Sequence, residues 1–473
     1  MSSIDETLQE RYGEEIKEVL DKARNLGASY ADVRVQEDKG TKITVKDNVL
    51  EEVVSGNNFG LGIRVLYKGS WGLASTNDYS KLNIMVERAI RASKSSGRYK
   101  RKKRVKLAEV EPAVDKVIPK PRIKFEDVSI ERKVNMLKEA YFSTRIISDR
   151  IKSIRLGYVD INSRELYMTS EGTNLYQEQV FTGFMCVTTA CESGLIQQCA
   201  EGVERQSGFE LYEEKNPIEI ASKSAKRAVA LLSAKAPPGG KFTTVIHPTL
   251  AGVLIHEAVG HAAEADIVQS GDSVFGGKIS KKIAPENISI IDDATIFGHG
   301  HYKYDDEGVR ARKNYIIKKG ILNTYLHTRE TAYRAHVPPT GNARVQSYEY
   351  LPIVRMSNTY LEPADWSLDE MLKEVKSGIY LEYSKGGEVN SGEGTFTFSS
   401  EQGYIIENGE KKELLRDCTL SGNIFEVLNS IDAVGNDLEM QNIGECVKGG
   451  QTVLVGYGSP HVRISRITIG GSG

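Results

Sequence analysis

The run Pro237-Pro238-Gly239-Gly240 sits at the middle of a 473-residue chain and constrains the fold more than any other feature. Two prolines fix φ and remove two backbone donors, and two glycines follow that favour neither helix nor strand. The chain therefore divides there. The reading is two domains, residues 1–236 and residues 241–473, with a linker around residues 98–122 inside the first. At roughly 100–200 residues per domain, the length allows two or three such units.

Residues 14–25 place Ile16, Val19, Leu20 and Ala23 at helical spacing before Gly27. Residues 31–37, 41–54 and 61–74 are rich in Val and Ile, alternate in polarity and are separated by Gly and Asn. They read as three antiparallel strands with one wet face. Helical periodicity returns over residues 79–95, 130–142 and 217–233, with strand-like sequence up to Gln198. Residues 111–122 carry Pro112, Pro119 and Pro121 and read as an extended connector. This order predicts an α+β fold, with an N-terminal domain that mixes helices and antiparallel strands. The Gly-bounded, Val/Ile/Tyr-rich segments after Gly240 predict a mostly antiparallel sheet or half-open barrel.

Lys and Arg total 62 and Asp and Glu 64, a formal net charge of −2. No global field draws the chain to nucleic acid or to an anionic membrane. The basic run RYKRKKRVK at residues 98–106 is the one local exception. It reads as a solvated loop, because no nucleic-acid fold signature accompanies it. No stretch matches the ~18 apolar residues of a membrane span. The first twenty residues are acidic where a signal peptide needs a basic flank. Five cysteines with no repeated spacing make no disulfide framework, and the expectation is a cytoplasmic protein.

Of eight histidines, His256 and His261 lie five positions apart in LAGVLIHEAVGHAAEAD, a segment of good helix formers and small residues. His-Glu-x-x-His on a helix is a zinc-peptidase signal, with the Glu as general base. Here three residues separate Glu257 from His261. On an ideal helix the two imidazoles would point ~140° apart. A π-type turn brings residues five apart onto one face, and Gly260 is where the backbone would yield. The spacing therefore predicts a widened or broken turn near Gly260. A lone His on an apolar helix is usually a core residue, but two flanking a Glu are harder to explain that way. Spacing leaves the third ligand open. Glu264 shares the arc of the histidines, and Cys446 lies in the glycine-rich NIGECVKGGQ.

These residues carry a resemblance to the TldD/PmbA family, specifically its TldD-type metalloprotease branch. HEAVGHAAEAD resembles the family's HExxxHxxExD segment. The stretch from residue 291 with DDEG and YLH, the TGNARVQSYEYLPIVRMSNTY block, the GTFTFSSEQGYIIENGE block and GECVKGGQ follow in the family's order. The resemblance implies an α+β fold with the metal in the C-terminal domain. It implies one zinc ion held by His256, His261 and Cys446, and Glu257 as the general base acting on a metal-activated water. It implies cleavage of unfolded or extended peptides, by a homodimer or by a heterodimer with a PmbA/TldE-type subunit. Glu264, Tyr325 and His327 are further candidates for ligand support or for substrate and oxyanion contact. The alternative is a non-proteolytic metal-binding scaffold or partner subunit of a protease complex.

Overall fold

The computed structural model describes residues 7–99 and 104–471. Residues 100–103, the middle of the basic run, lie outside the described residues.

The first half forms strands β1 (Tyr30–Lys46), β2 (Val49–Tyr67), β3 (Ser70–Thr76), β4 (Val114–Val117), β5 (Ile151–Thr169), β6 (Asn174–Glu192) and β7 (Leu195–Arg205). They make one sheet in the order β3-β2-β1-β5-β6-β4, with β7 also on β6. The helices Leu8–Asn25 and Leu82–Tyr99 bury Ile16, Val19 and Val86 against Val33, Val35 and Ile63. Ile130–Arg145 and Pro217–Leu231 bury Leu137 and Ala225 against Leu156 and Phe184. Thr7 caps the first helix, with Glu10 completing a capping box, so that helix begins six residues before its periodic core.

The strands run longer than the sequence suggests. The expected breaks near residues 38–40 and 55–60 are interior to β1 and β2. The true reversals are Asp47-Asn48 and Lys68-Gly69, two-residue turns with both φ positive, the geometry that matches strand twist. Gly60 and Gly62 serve close approach instead of turning. A Cβ on Gly60 would lie 1.9 Å from Tyr348 Cζ, and one on Gly62 2.1 Å from the Tyr348 carbonyl oxygen. The expected connector contains β4, which pairs in parallel with β6. The wet face of the sheet exists, and with loops of the second half it encloses a cavity of about 680 Å³ lined by Gln36, Asp38, Ser163 and Gln179.

The second half adds β8 (Gly240–Ile246), β9 (Ile290–Asp293), β10 (Lys313–Lys318), β11 (Ile321–Leu322), β12 (Ala343–Arg344), β13 (Ile353–Val354) and β14 (Asn358–Leu361). It continues with β15 (Ser377–Asn390), β16 (Thr395–Glu407), β17 (Glu410–Asn423), β18 (Ile431–Val434), β19 (Glu439–Lys448), β20 (Gln451–Ser459) and β21 (Val462–Gly471). One six-stranded sheet runs β11-β10-β9-β14-β20-β19. A second runs β17-β16-β15-β8-β21-β18, and pairing of β17 with β21 closes five of these strands into a small barrel. Most ladders are antiparallel; β8 with β15 and β14 with β20 are parallel. The helix Pro248–Ile255 and the turn after it share one apolar cluster with Phe398 and Ile464 of the barrel and Val453 and Val455 of the sheet. The His-Glu segment is thus wedged between barrel and sheet.

Buried arginines tie the two halves together. Arg34 binds Asp306 at 2.6 Å, and Arg64 bridges Asp32 at 2.6 Å and Glu307 at 3.1 Å. Among the described residues no helix is long and apolar enough to cross a membrane.

Candidate metal centre

The helix Pro248–Ile255 starts on Pro248, with the His247 side chain accepting from the Thr249 N–H. It then changes pitch. Residues His256–Gly260 form a π-helical turn, closed by the His261 N–H donating to the His256 carbonyl five residues back. A 3-10 turn, His261–Ala263, follows, and Glu264 is extended. The widened turn expected from the five-residue spacing is present. Gly260 plays a different part from the one expected. Its backbone, φ −57° and ψ −56°, suits any residue. What the missing Cβ provides is room, because a Cβ there would meet Met356 Cγ at 3.0 Å.

The wide turn brings His256 and His261 together, with ring centroids 5.4 Å apart and planes at 84°. Cys446 projects from β19 to meet them. One ligand atom from each of His256, His261 and Cys446 lies within 4.8 Å of the others. Cys446 Sγ is 3.4 Å from His261 Nε2. His256 is buried, and among the described residues neither of its ring nitrogens has a partner at hydrogen-bond geometry, Cys446 being its neighbour in the cluster. An unpaired buried nitrogen is costly, and a cation among the three donors would satisfy it. Two imidazoles and a thiolate are a donor set suited to zinc. Burial alone would raise the Cys446 thiol, but His256 and His261 beside it outweigh that and hold it down to about 4. The thiolate, the form that binds metal, is therefore the resting form.

A carboxylate orients the second histidine. Glu264 is fully buried, and its Oε2 lies 2.9 Å from His261 Nδ1 and 3.2 Å from Lys448 Nζ. Burial works to raise the Glu264 carboxyl, but His261 and Lys448 overcome it and hold the group below its ordinary range. Burial likewise works to lower His261, and Glu264 and Cys446 carry it well above. With Nδ1 turned to Glu264, Nε2 is left facing Cys446, the usual arrangement for a histidine ligand. Lys448 is anchored in turn by Asp266 at 2.8 Å.

Glu257 follows His256 on the π turn, its side chain about one-third exposed and Oε2 3.6 Å from His261 Nε2. Unlike the fully buried Glu264, it keeps an open side. Tyr325 and His327 are not drawn into the cluster by their polar atoms. The Tyr325 hydroxyl donates to the Phe275 carbonyl at 2.5 Å, and His327 Nδ1 faces Thr331 Oγ1 at 3.2 Å. Their strand-like segment instead pairs Leu326 with Glu264. His299 stacks on Phe181 and sets Nδ1 against the Gly444 and Val455 carbonyls, behind the Cys446 strand.

Sequence reasoning missed Arg355. It is fully buried and donates to the Cys446 carbonyl and, at 3.2 Å, to that of Gln451, so it ties the end of β19 that carries the thiol to the start of β20. It also missed Lys448, whose only sequence signal is its place two residues after the cysteine.

Matches to known proteins fit this geometry. Residues 31–93, 123–232 and 239–471 match the models for the PmbA/TldA metallopeptidase domain 1, central domain and C-terminal domain. Metalloprotease MJ0996 of Methanocaldococcus jannaschii is 42% identical over 450 residues, covering 94% of this chain and 98% of that relative. The chain belongs to the PmbA/TldD metallopeptidase family. The zinc metalloprotease TldD homolog of Saccharolobus solfataricus is 32% identical over 456 residues, covering 96% of this chain and 99% of its own. Among solved structures, TldE of Thermococcus kodakarensis matches with a TM-score of 0.77 at 17% identity, over 96% of this chain and 99% of that one. That likeness is one of fold.

Proposed function

We propose that this family member is a zinc-dependent peptidase that hydrolyses extended peptides, with His256, His261 and Cys446 holding the metal and Glu257 acting as general base. The observation that carries the proposal is the convergence of two imidazoles and a buried thiolate beside one open carboxylate. The chemistry that a bound zinc ion contributes is Lewis acidity toward a carbonyl and toward water. Glu257 takes a proton from the attacking water and returns it to the leaving amine. Glu264 keeps His261 in one orientation by holding Nδ1, and Lys448 and Asp266 hold Glu264 in place.

An extended substrate is supported by the position of β19. It ends the six-stranded sheet and carries Cys446, so a peptide laid along it would be read through its main chain more than its side chains. The fold likeness to TldE supports pairing with a subunit of that type, alongside the homodimer. All five cysteines are free, which supports a reducing compartment such as the cytoplasm.

The test is digestion of an unstructured peptide by the protein and by its Glu257→Ala variant, read by mass spectrometry with a chelator control. Chelator-sensitive cleavage by the parent alone supports the proposal. Equal cleavage by both assigns the base elsewhere. If neither cleaves, even with a TldE-type subunit added, the scaffold reading stands.

A further inference from the structure

We infer that the Tyr457 hydroxyl is a catalytic residue of this site, donating a hydrogen bond to the substrate carbonyl oxygen as negative charge develops on it. The inference rests on the peptidase reading above. Tyr457 lies on β20, on the face it shares with Val453 and Val455, which pack against the helix Pro248–Ile255. Two glycines make room for its ring. A Cβ on Gly252 would lie 3.0 Å from Tyr457 Cδ2, and one on Gly444 2.8 Å from Cε1. Gly252 is one helical turn before His256, and Gly444 is two residues before Cys446. The ring thus threads between the two elements that supply the candidate ligands. Its centroid is 6.4 Å from that of His256.

The hydroxyl has no hydrogen-bond partner among the described residues; what acts on it is burial and the charges of Glu204 and Glu257. Two other tyrosine hydroxyls of this half are engaged within the chain. The Tyr302 hydroxyl donates to the Gly341 carbonyl and that of Tyr325 to the Phe275 carbonyl. Tyr457 is only partly buried and its hydroxyl still reaches water, so it is free to donate to a substrate that displaces that water. The ring lies between the helix and the strand that carry the candidate ligands, close to His256, and from there its hydroxyl can meet a carbonyl held at the candidate metal site.

A water oxygen bonds to the carbonyl carbon, its proton passes to Glu257, and the carbonyl π pair moves onto oxygen. The Tyr457 O–H donates to that oxygen and keeps its proton. When the C–N bond breaks, Glu257 returns its proton to the amine nitrogen.

Tyr457→Phe keeps the ring between the two glycines and removes only the donor. We expect kcat to fall roughly 10²–10³-fold with KM within about threefold, as when one oxyanion donor is lost. Affinity for a phosphinic peptide, whose charged tetrahedral oxygens imitate the addition state, should fall by a comparable factor. Binding of an ordinary peptide to Glu257→Gln should not change when Tyr457→Phe is added, and metal content should stay that of the parent. Unchanged kcat and phosphinate affinity in Tyr457→Phe would overturn the inference while leaving the peptidase reading intact. So would an equal loss of ordinary-peptide binding, or loss of metal, either of which makes the residue structural. A parent that neither cleaves nor binds the phosphinate overturns both.

Discussion

Replacing Glu264 by Gln tests whether this carboxylate orients a ligand or is one. The substitution keeps the shape and removes one charge at a fully buried position. The glutamine carbonyl can still accept from His261 Nδ1, 2.9 Å away in the parent. Its NH2 must then occupy the site of Glu264 Oε1, which has no partner to offer. Lys448 keeps Asp266 and the Val354 carbonyl. The net loss is therefore the difference between charge-assisted and neutral hydrogen bonds plus one unpaired donor, about 2 kcal/mol. Carried into metal binding, that is a weakening of roughly 10–100-fold, the range for partners of ligating histidines. The assay is competition for zinc against a chromophoric chelator at fixed pH, with His261→Ala alongside. An affinity unchanged from the parent would refute the reasoning. A loss as large as that of His261→Ala would refute it the other way, by making Glu264 a ligand.

Glu257→Gln should lower kcat by about 10²–10⁴-fold and leave metal content at the parent value by elemental analysis; loss of metal would make Glu257 a ligand and not a base. Burial holds His247, His299 and His327 down to about 4. The unfolded chain takes up those protons near pH ~6.5, so their stabilisation is complete above that pH and is lost as pH falls toward 4, by up to about 3 kcal/mol each. The urea midpoint should drop accordingly between pH 7 and pH 4.5, and a flat profile would contradict it. Glu307→Ala leaves the buried Arg64 with Asp32 as its remaining carboxylate and frees the Arg329 N–H, which donates to Glu307 at 2.8 Å. The expected loss is about 1–3 kcal/mol, the cost of buried donors left unpaired, read by chemical denaturation, and a change below about 0.5 kcal/mol would show that water relaxes the site.

Local signals in the sequence were dependable where the physics is local. Helical periodicity located the four long helices of the first half, and the five-residue spacing of the histidines foretold the π turn. Signals that depend on distant chain were misread. Gly60 reads as part of a break in β2, whereas it makes room for Tyr348, 288 residues further along the chain. Cys446 and Glu264 could not be ranked by spacing, since one reaches the histidines through β19 and the other bonds to His261 within the turn. That the Tyr325 hydroxyl is engaged by the Phe275 carbonyl, 50 residues away in sequence, is likewise not written in its own segment. Barrel closure was invisible too, because it depends on β17 finding β21 at the far end of the chain.

The π turn also acts as a gauge. Deleting Ala258 would restore the commoner His-Glu-x-x-His spacing and let an ordinary α-helix bring the histidines together. It would also rotate everything after it by ~100° and draw it back ~1.5 Å. Glu264 would leave His261, the Leu326 N–H would lose the Ala263 carbonyl, and Asp266 would leave Lys448. The extra residue measures the length between the first histidine and its anchorage at Leu326. A change that improves the motif on paper would therefore dismantle the support beneath it.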